Sequence, residues 1–264
     1  SRIVSAAGAL GLGLETGKSM AIGASVSVAE MRNKVTATLA KATVQADAVQ
    51  VHAEWRASLY NVSLGLAGGG GAAISGSLTI NTLESEVRAS ILDATVTATK
   101  GDIRVLALDT ASAAALAGNV SVSVGGRVAG GMAFAVNRVA DIVYAGVLRS
   151  SLSAAGDIVV RASFARPDDL PPGLDAQIAA MAVSGAAAFG SSEANIGFGG
   201  SAVLNWLANQ ITAEIGETAA GQDIVAGGDL LVQAEDRSTI NSLAGAVALG
   251  LGMQGTGVAV GASL

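Results

Sequence analysis

The sequence predicts an all-β fold, an elongated β-solenoid, from three observations. A ten-residue phrase occurs four times, and its copies begin at Val28, Ile80, Val136 and Leu204. These openings recur at intervals of roughly 50 to 70 residues, and a period of about this size is typical of repeat architectures. Between the phrases, aliphatic residues alternate with small or polar ones, which is the pattern of half-buried strands. No stretch of the 264 residues shows a convincing helical period.

The third unit shows the predicted elements most clearly. Residues 116–124 and 128–136 alternate as two strands on either side of the turn signal Gly125-Gly126. Residues 141–148 form a third predicted strand, and Gly156-Asp157 is a corner followed by a short strand that ends at Ala162. Glycine tolerates a positive φ and aspartate can bond its own backbone, so Gly-Asp suits a tight corner. The same corner recurs at residues 101–102 and 228–229.

The direction of the strands has two interpretations. A right-handed parallel β-helix, which the stacking of identical positions favours, would divide each unit into two or three coils. The Gly125-Gly126 turn between two alternating runs is also typical of an antiparallel hairpin, so a solenoid that contains hairpins is the alternative.

The whole chain is predicted to be a single repeat array. Its units cover residues 1–53, 54–107, 108–162 and 163–234, with a partial unit at 235–264. Residues 5–14 match residues 242–251, so the chain starts and stops at nearly the same phase of the repeat. Repeat arrays need polar capping units, and no such unit is written here. We therefore expect a fragment of a longer protein.

In three of the four phrases, the second residue is an asparagine. If equal positions stack, Asn81, Asn137 and Asn205 lie above one another and can bond from coil to coil as a structural ladder. The alternative is that they are ordinary turn residues that face solvent.

The fourth unit carries the longest excursion from the repeat, at residues 164–175. It contains all three prolines of the chain, together with Arg166, Asp168, Asp169 and Asp175. A polar excursion of this kind is where repeat proteins often place a binding site, so these four residues are the candidate binding loop. A tolerated surface loop is the alternative.

Charge and composition exclude several classes of function. A net charge of −6 is unfavourable for nucleic acid, so no nucleic-acid partner is predicted. The chain has no cysteine and one histidine, His52, which alternates with Val51 and should face solvent. Its carboxylates are scattered. We predict no catalytic residues, no metal site and no cofactor.

The phrase Val-Asn-x-x-x-Asp/Asn-x-Val-x-Ala, followed by Gly-Asp-Ile-x-Val-x-Ala, resembles the repeats of very large bacterial surface proteins. The nearest families are filamentous haemagglutinin-like exoproteins of two-partner secretion, leukotoxin-type filamentous adhesins and similar autotransporter passengers. The resemblance implies a secreted, filamentous β-helix at the outer surface of a Gram-negative bacterium, with roles in cell adhesion or biofilm. It carries no catalytic residues onto this chain.

Two functions follow as expectations. The first is a structural stalk segment of a fibrous adhesin, whose partners are the neighbouring repeats of its own chain and, end to end, further copies. The second is direct binding of a host or bacterial surface glycan or protein through the 164–175 loop or an exposed strand face.

Overall fold

The protein folds into three stacked sheets of parallel strands. A computed structural model describes residues 1–15, 18–167, 176–191, 194–216, 223–253 and 256–264. Every strand pairing within this part of the chain is parallel. The all-β parallel solenoid is confirmed, and the antiparallel alternative is wrong.

The strands are divided among two sheets of long strands and one sheet of short strands. Sheet A contains β1 (Arg2–Leu12), β4 (Val49–Gly69), β7 (Ile103–Val124), β10 (Ile158–Phe164), β11 (Ile178–Gly190), β15 (Leu230–Asp236) and β16 (Ile240–Gly252). Sheet B contains β2 (Met20–Ala40), β5 (Ala72–Leu92), β8 (Val128–Leu148), β12 (Ala194–Leu207), β13 (Gln210–Gly216) and β17 (Thr256–Ser263). Sheet C contains β3 (Thr43–Ala46), β6 (Thr95–Ala98), β9 (Ser151–Ala154) and β14 (Ile224–Ala226).

Each repeat unit makes one coil, which passes from sheet A through sheet B to sheet C. Val49, Ile103, Ile158 and Leu230 stand at the same place in successive coils. The coils that begin at the first three therefore cover residues 49–102, 103–157 and 158–229, and the last of these is the longest. The expectation of two or three coils per unit was wrong, because the strands are far longer than the alternation alone indicated.

Some segments that were predicted as separate strands belong to one long strand. Residues 128–136 and 141–148 lie in the single strand β8, since the third phrase continues the same in-and-out alternation between them. The predicted strand after Gly156-Asp157 is β10, which opens the next coil. The short strand β9 was not predicted. Gly125, with φ 79°, turns the chain from sheet A into sheet B and makes no hairpin within one sheet.

The corners repeat from coil to coil. Lys41, Asp93 and Arg149 each follow a long strand of sheet B with φ near +50° (51°, 49° and 47°), and Arg149 Nε bonds Asp93 Oδ1 at 2.7 Å. At the other corner, Asp102 Oδ1 accepts the Asp157 N–H at 2.9 Å, and Asp157 Oδ1 accepts the Asp229 N–H at 2.8 Å. These aspartates therefore bond the backbone of the next coil, not their own as expected, and so fix the register of the stack.

The three sheets enclose an aliphatic core at one end of each coil, which we call the wide half. Here the inward residues include large side chains beside alanines, because sheet C holds sheets A and B apart. Its largest fully buried side chains include Leu59, Leu83, Ile91, Ile158 and Phe164. Complete burial of one such side chain contributes about 1.5–3 kcal/mol.

At the other end of each coil, sheets A and B pack directly on each other and form what we call the blade. Its inward residues are Ala, Gly, Ser, Thr and Asn, and small alanine clusters replace the aliphatic core. A Cβ on Gly23 would lie 1.9 Å from the Leu66 carbonyl oxygen, and one on Gly65 would lie 2.3 Å from that of Gly76. Glycine is required at these positions because the two backbones are so close.

Candidate functional site

An arginine-lined cleft opens on the outer side of sheet A, with a volume of about 540 Å³. It lies where the wide half meets the blade and includes the described end of the predicted binding loop. Its lining residues are Ser1, Arg2, Arg56, Ala57, Ser58, Thr110, Arg166 and Pro167.

The three arginines come together because two of them point outward from neighbouring strands and a backbone hydrogen bond holds the start of the loop beside them. Arg2 on β1 and Arg56 on β4 stand at outward positions of neighbouring strands. Arg166 is exposed and follows β10, where the Ala165 N–H donates to the Asp109 carbonyl oxygen at 2.9 Å. Pro167 is buried and also lines the cleft. The excursion thus leaves the regular stack beside the outer face of the two preceding coils.

Among the described residues, the side chains that line the cleft carry a net positive charge. The Arg2 guanidinium lies 5.4 Å from the centroid of the Tyr60 ring, and the Arg56 guanidinium contacts the Glu54 carboxylate. Arginine presents a planar fork of N–H donors that matches carboxylate, sulfate and phosphate groups. Three guanidinium groups around one opening can therefore hold an anionic group of that size.

A larger concavity, about 710 Å³, lies on the outer side of sheet B, but its charges neutralise one another. Arg32 lies 3.2 Å from Glu84, and Lys34 lies 2.9 Å from Glu86. These exposed pairs each contribute little to stability and leave no unbalanced charge for a ligand.

The predicted loop residues have different outcomes. Arg166 lies in the arginine-lined cleft. Asp168, Asp169 and Asp175 fall outside the described residues. His52 is exposed on β4, and its Nε2 lies 3.8 Å from Glu54.

The three asparagines of the predicted ladder lie side by side inside the blade. Asn81 Nδ2 donates to Asn137 Oδ1 at 2.9 Å, and Asn137 Nδ2 donates to Asn205 Oδ1, also at 2.9 Å. Asn137 Nδ2 also reaches the Ala179 carbonyl of sheet A at 2.6 Å, and Asn205 Nδ2 donates to Ser242 Oγ at 2.8 Å. Asn81 and Asn137 are fully buried, so the solvent-facing alternative does not describe them.

Two aspartates are buried in the wide half on facing sheets. Asp109 on β7 lies in register between Trp55 and Phe164, and Ser85 Oγ donates to its Oδ2 at 2.5 Å. Both carboxylate oxygens of Asp141 are buried, and Ser85 on β5 is its partner in the strand register. Burial raises the pKa of Asp141 to about 7, and burial together with the Asp141 charge raises the pKa of Asp109 well above its usual range.

Sequence reasoning missed both the buried acids and two of the cleft arginines. Asp109 stands two residues after Ala107 and four after Val105. Side chains alternate between the two faces of a strand, so all three point inward. Arg2 and Arg56 have outward parity, but only the strand register places them beside Arg166. Their proximity depends on contacts between coils that a single unit does not show.

Searches against protein-family models, curated proteins and solved structures gave no match for this chain. Among the described residues, no helix is long and apolar enough to cross a membrane. The same part of the chain brings no group of three or more His, Asp or Glu side chains into a metal-binding arrangement.

Proposed function

We propose that the chain is a structural, non-catalytic segment of a secreted, surface-exposed bacterial fibre, built to be extended by stacking coils. One observation carries this proposal: polar side chains bond each coil to the next at equal positions. The asparagine column does so in the blade, and the Asp102–Asp157–Asp229 column does so at a corner. Each coil is thereby supported mainly by its neighbours, which is the property of an array that grows by repetition.

Duplication of one coil tests this role. A second copy of residues 103–157 inserted after Asp157 keeps the register, because Ile103 and Ile158 are already partners in sheet A. In a stacked array the added coil is expected to fold, to keep the strand signal per residue in circular dichroism, and to preserve or raise the unfolding midpoint.

As a control, the same segment inserted after Ser112, in the middle of β7, should break the ladder and lower the midpoint. If the coil inserted after Asp157 unfolds the chain as the control does, the protein is a closed domain and the proposed function fails.

A second candidate function is capture of an anionic surface group by the arginine-lined cleft. The convergence of Arg2, Arg56 and Arg166 around one opening favours it. Acidic glycans that carry carboxylate or sulfate groups suit such a cleft, because each group can accept two parallel N–H bonds from one guanidinium. This function is compatible with the structural one, since the cleft lies on the outside of the stack.

Binding of heparin and of a neutral dextran tests the cleft. The double variant Arg2→Ala/Arg166→Ala should weaken heparin binding at least tenfold and leave dextran unchanged. Arg104→Ala is the matched control, since it removes an exposed arginine of the same sheet that pairs with Asp102 outside the cleft. Equal losses in both variants would indicate nonspecific charge attraction and would rule out the cleft as the site.

A further inference from the structure

The blade has an inverted distribution of side chains. Inward positions hold polar pairs such as Ser63 Oγ with Thr79 Oγ1, 2.7 Å apart across the two sheets. Outward positions on the same strands hold Leu, Val, Ile, Met and Phe. On inner strands of sheet A, Leu64 is 52% exposed and Val120 is 48% exposed. On sheet B, Met132 is 50% exposed. The large apolar groups therefore stand in solvent on both sides.

Neither outer face of the blade contains a charged residue. The strand segments of the face on sheet A are residues 6–12, 62–68, 116–124, 181–189 and 243–251. Those of the face on sheet B are residues 20–28, 72–80, 128–136, 196–204 and 256–264. The charged residues of the long strands lie in the wide half instead, so each apolar face is continuous across the stack.

Each face is close in area to one side of a standard protein interface. About nine residues at ~3.3 Å, by about five strands at ~4.8 Å, give roughly 700 Å² in projection. The largest apolar patch on a typical monomer is about 300–600 Å². A standard protein interface buries about 800 Å² on each partner. One blade face thus approaches the area that two proteins need.

We propose that the two blade faces are lateral docking surfaces for further copies of this chain, so that arrays associate side by side. A second copy fits because it offers a face of the same extent, equally free of charge. Two apolar faces on one blade allow each copy to be covered on both sides, which makes an open lateral series and not a closed pair. A lipid surface is the other occupant of matching apolar chemistry, and vesicle binding distinguishes it from self-association.

Lysine substitutions test the proposal by sedimentation over a range of concentrations. Val120→Lys and Met132→Lys each place a charge in the middle of one face and should weaken association at least tenfold. Together they should bring the mass towards that of the 25.7 kDa chain. Val225→Lys is the matched control, because Val225 is 53% exposed on β14, outside the blade. It should associate as the unsubstituted chain does.

Single cysteines give an independent readout that does not depend on a change of stability, since the chain has no native cysteine. Val120→Cys and Met132→Cys, alone or mixed, should form disulfide-linked dimers faster than Val225→Cys by at least tenfold. Equal rates at the three positions would overturn the proposal. So would a chain that stays monomeric at every concentration, or one that binds phosphatidylcholine vesicles without self-association.

Discussion

At the scale of single residues, side chains point alternately inward and outward along each strand, and this decides which of them are buried. Two aspartates stand at inward positions. Asp109 and Asp141 have no exposed surface, and their pKa values are raised because burial disfavours the charged form. An aspartate with a raised pKa binds its proton more tightly in the folded chain than in the unfolded one. Its contribution to stability is complete below the unfolded pKa and is lost as pH rises through the folded pKa.

The chain should therefore be more stable at pH 5 than at pH 8. For Asp141 the window runs from the ordinary value of 3.8 to about 7, which is worth on the order of a few kcal/mol at 1.36 kcal/mol per pKa unit. Asp141→Asn should reduce the difference in unfolding free energy between the two pH values, and Asp109→Asn/Asp141→Asn should nearly abolish it. Urea unfolding followed by circular dichroism measures both.

Asp47→Asn, at an exposed corner, is the control and should keep the full difference between pH 5 and pH 8. An unchanged pH dependence in the double variant would mean that the buried pair does not hold the extra protons.

The asparagine column is a second feature of single residues. Asn137 donates to two acceptors and accepts from Asn81, so its removal leaves buried groups on both sides without partners. A buried polar group without a partner costs about 1–3 kcal/mol. Asn137→Ala should therefore lower the unfolding free energy by about 2–4 kcal/mol.

Asn205→Ala, at the half-exposed end of the column, should cost less than about 1 kcal/mol, because Asn137 Nδ2 keeps its bond to the Ala179 carbonyl and Ser242 is exposed to water. Chemical denaturation of both variants gives the comparison. Equal losses would show that the column does not act as a coil-to-coil connection.

At the scale of elements, the blade depends on backbones that approach too closely for a Cβ atom. Gly65→Ala places a Cβ about 2.3 Å from the Gly76 carbonyl oxygen and must push the sheets apart. The expected loss is about 1–3 kcal/mol, as for other overpacked sites, with a lower midpoint in thermal unfolding.

Gly245→Ala is the matched control for Gly65→Ala, because a Cβ there meets no atom within 4 Å. It should be neutral or raise stability by about 0.4–1 kcal/mol through the unfolded state. If Gly65→Ala is equally harmless, the two sheets are not in direct contact at that point.

Much of this architecture could be predicted from residue patterns, and the remainder depends on contacts between coils. The spacing of Asn81, Asn137 and Asn205 reports the register directly, because equal positions in a stack are neighbours. The alternation of residues 116–124 and 128–136 predicts strands, but period two is the same in one long strand as in two short ones. The coil was therefore predicted too small. The grouping of Arg2, Arg56 and Arg166 joins three coils, so no local pattern reveals it.

At the scale of the whole molecule, the coil is wide and short along the stacking axis. Strands of 21 residues reach about 70 Å at ~3.3 Å per residue, whereas each coil adds only about 4.8 Å to the stack. A chain selected only for length would use smaller coils. Most of the additional residues build the blade, which gives a specific reason to expect lateral contacts beside the stacking that extends the array.

Stacking and lateral contact can be separated, because they use different groups. The Ser58 N–H donates to the Ser1 carbonyl at 2.9 Å, so in β1 the odd-numbered residues bond β4 and the N–H of Ala6 points to the open edge. In the background Val120→Lys/Met132→Lys, any association that remains should run end to end. Adding Ala6→Pro should abolish it, because proline removes one edge donor without breaking the ladder to β4.

Ala7→Pro, one residue further, is the control for Ala6→Pro and should instead destabilise the fold, because it removes a bond to β4. Light scattering measures the association, and thermal unfolding separates the two proline variants. Association that survives Ala6→Pro at full strength would mean that the open edge of β1 is not the joint. Sheet B, in which β2 is the end strand among the described residues, would then be the edge on which successive arrays meet.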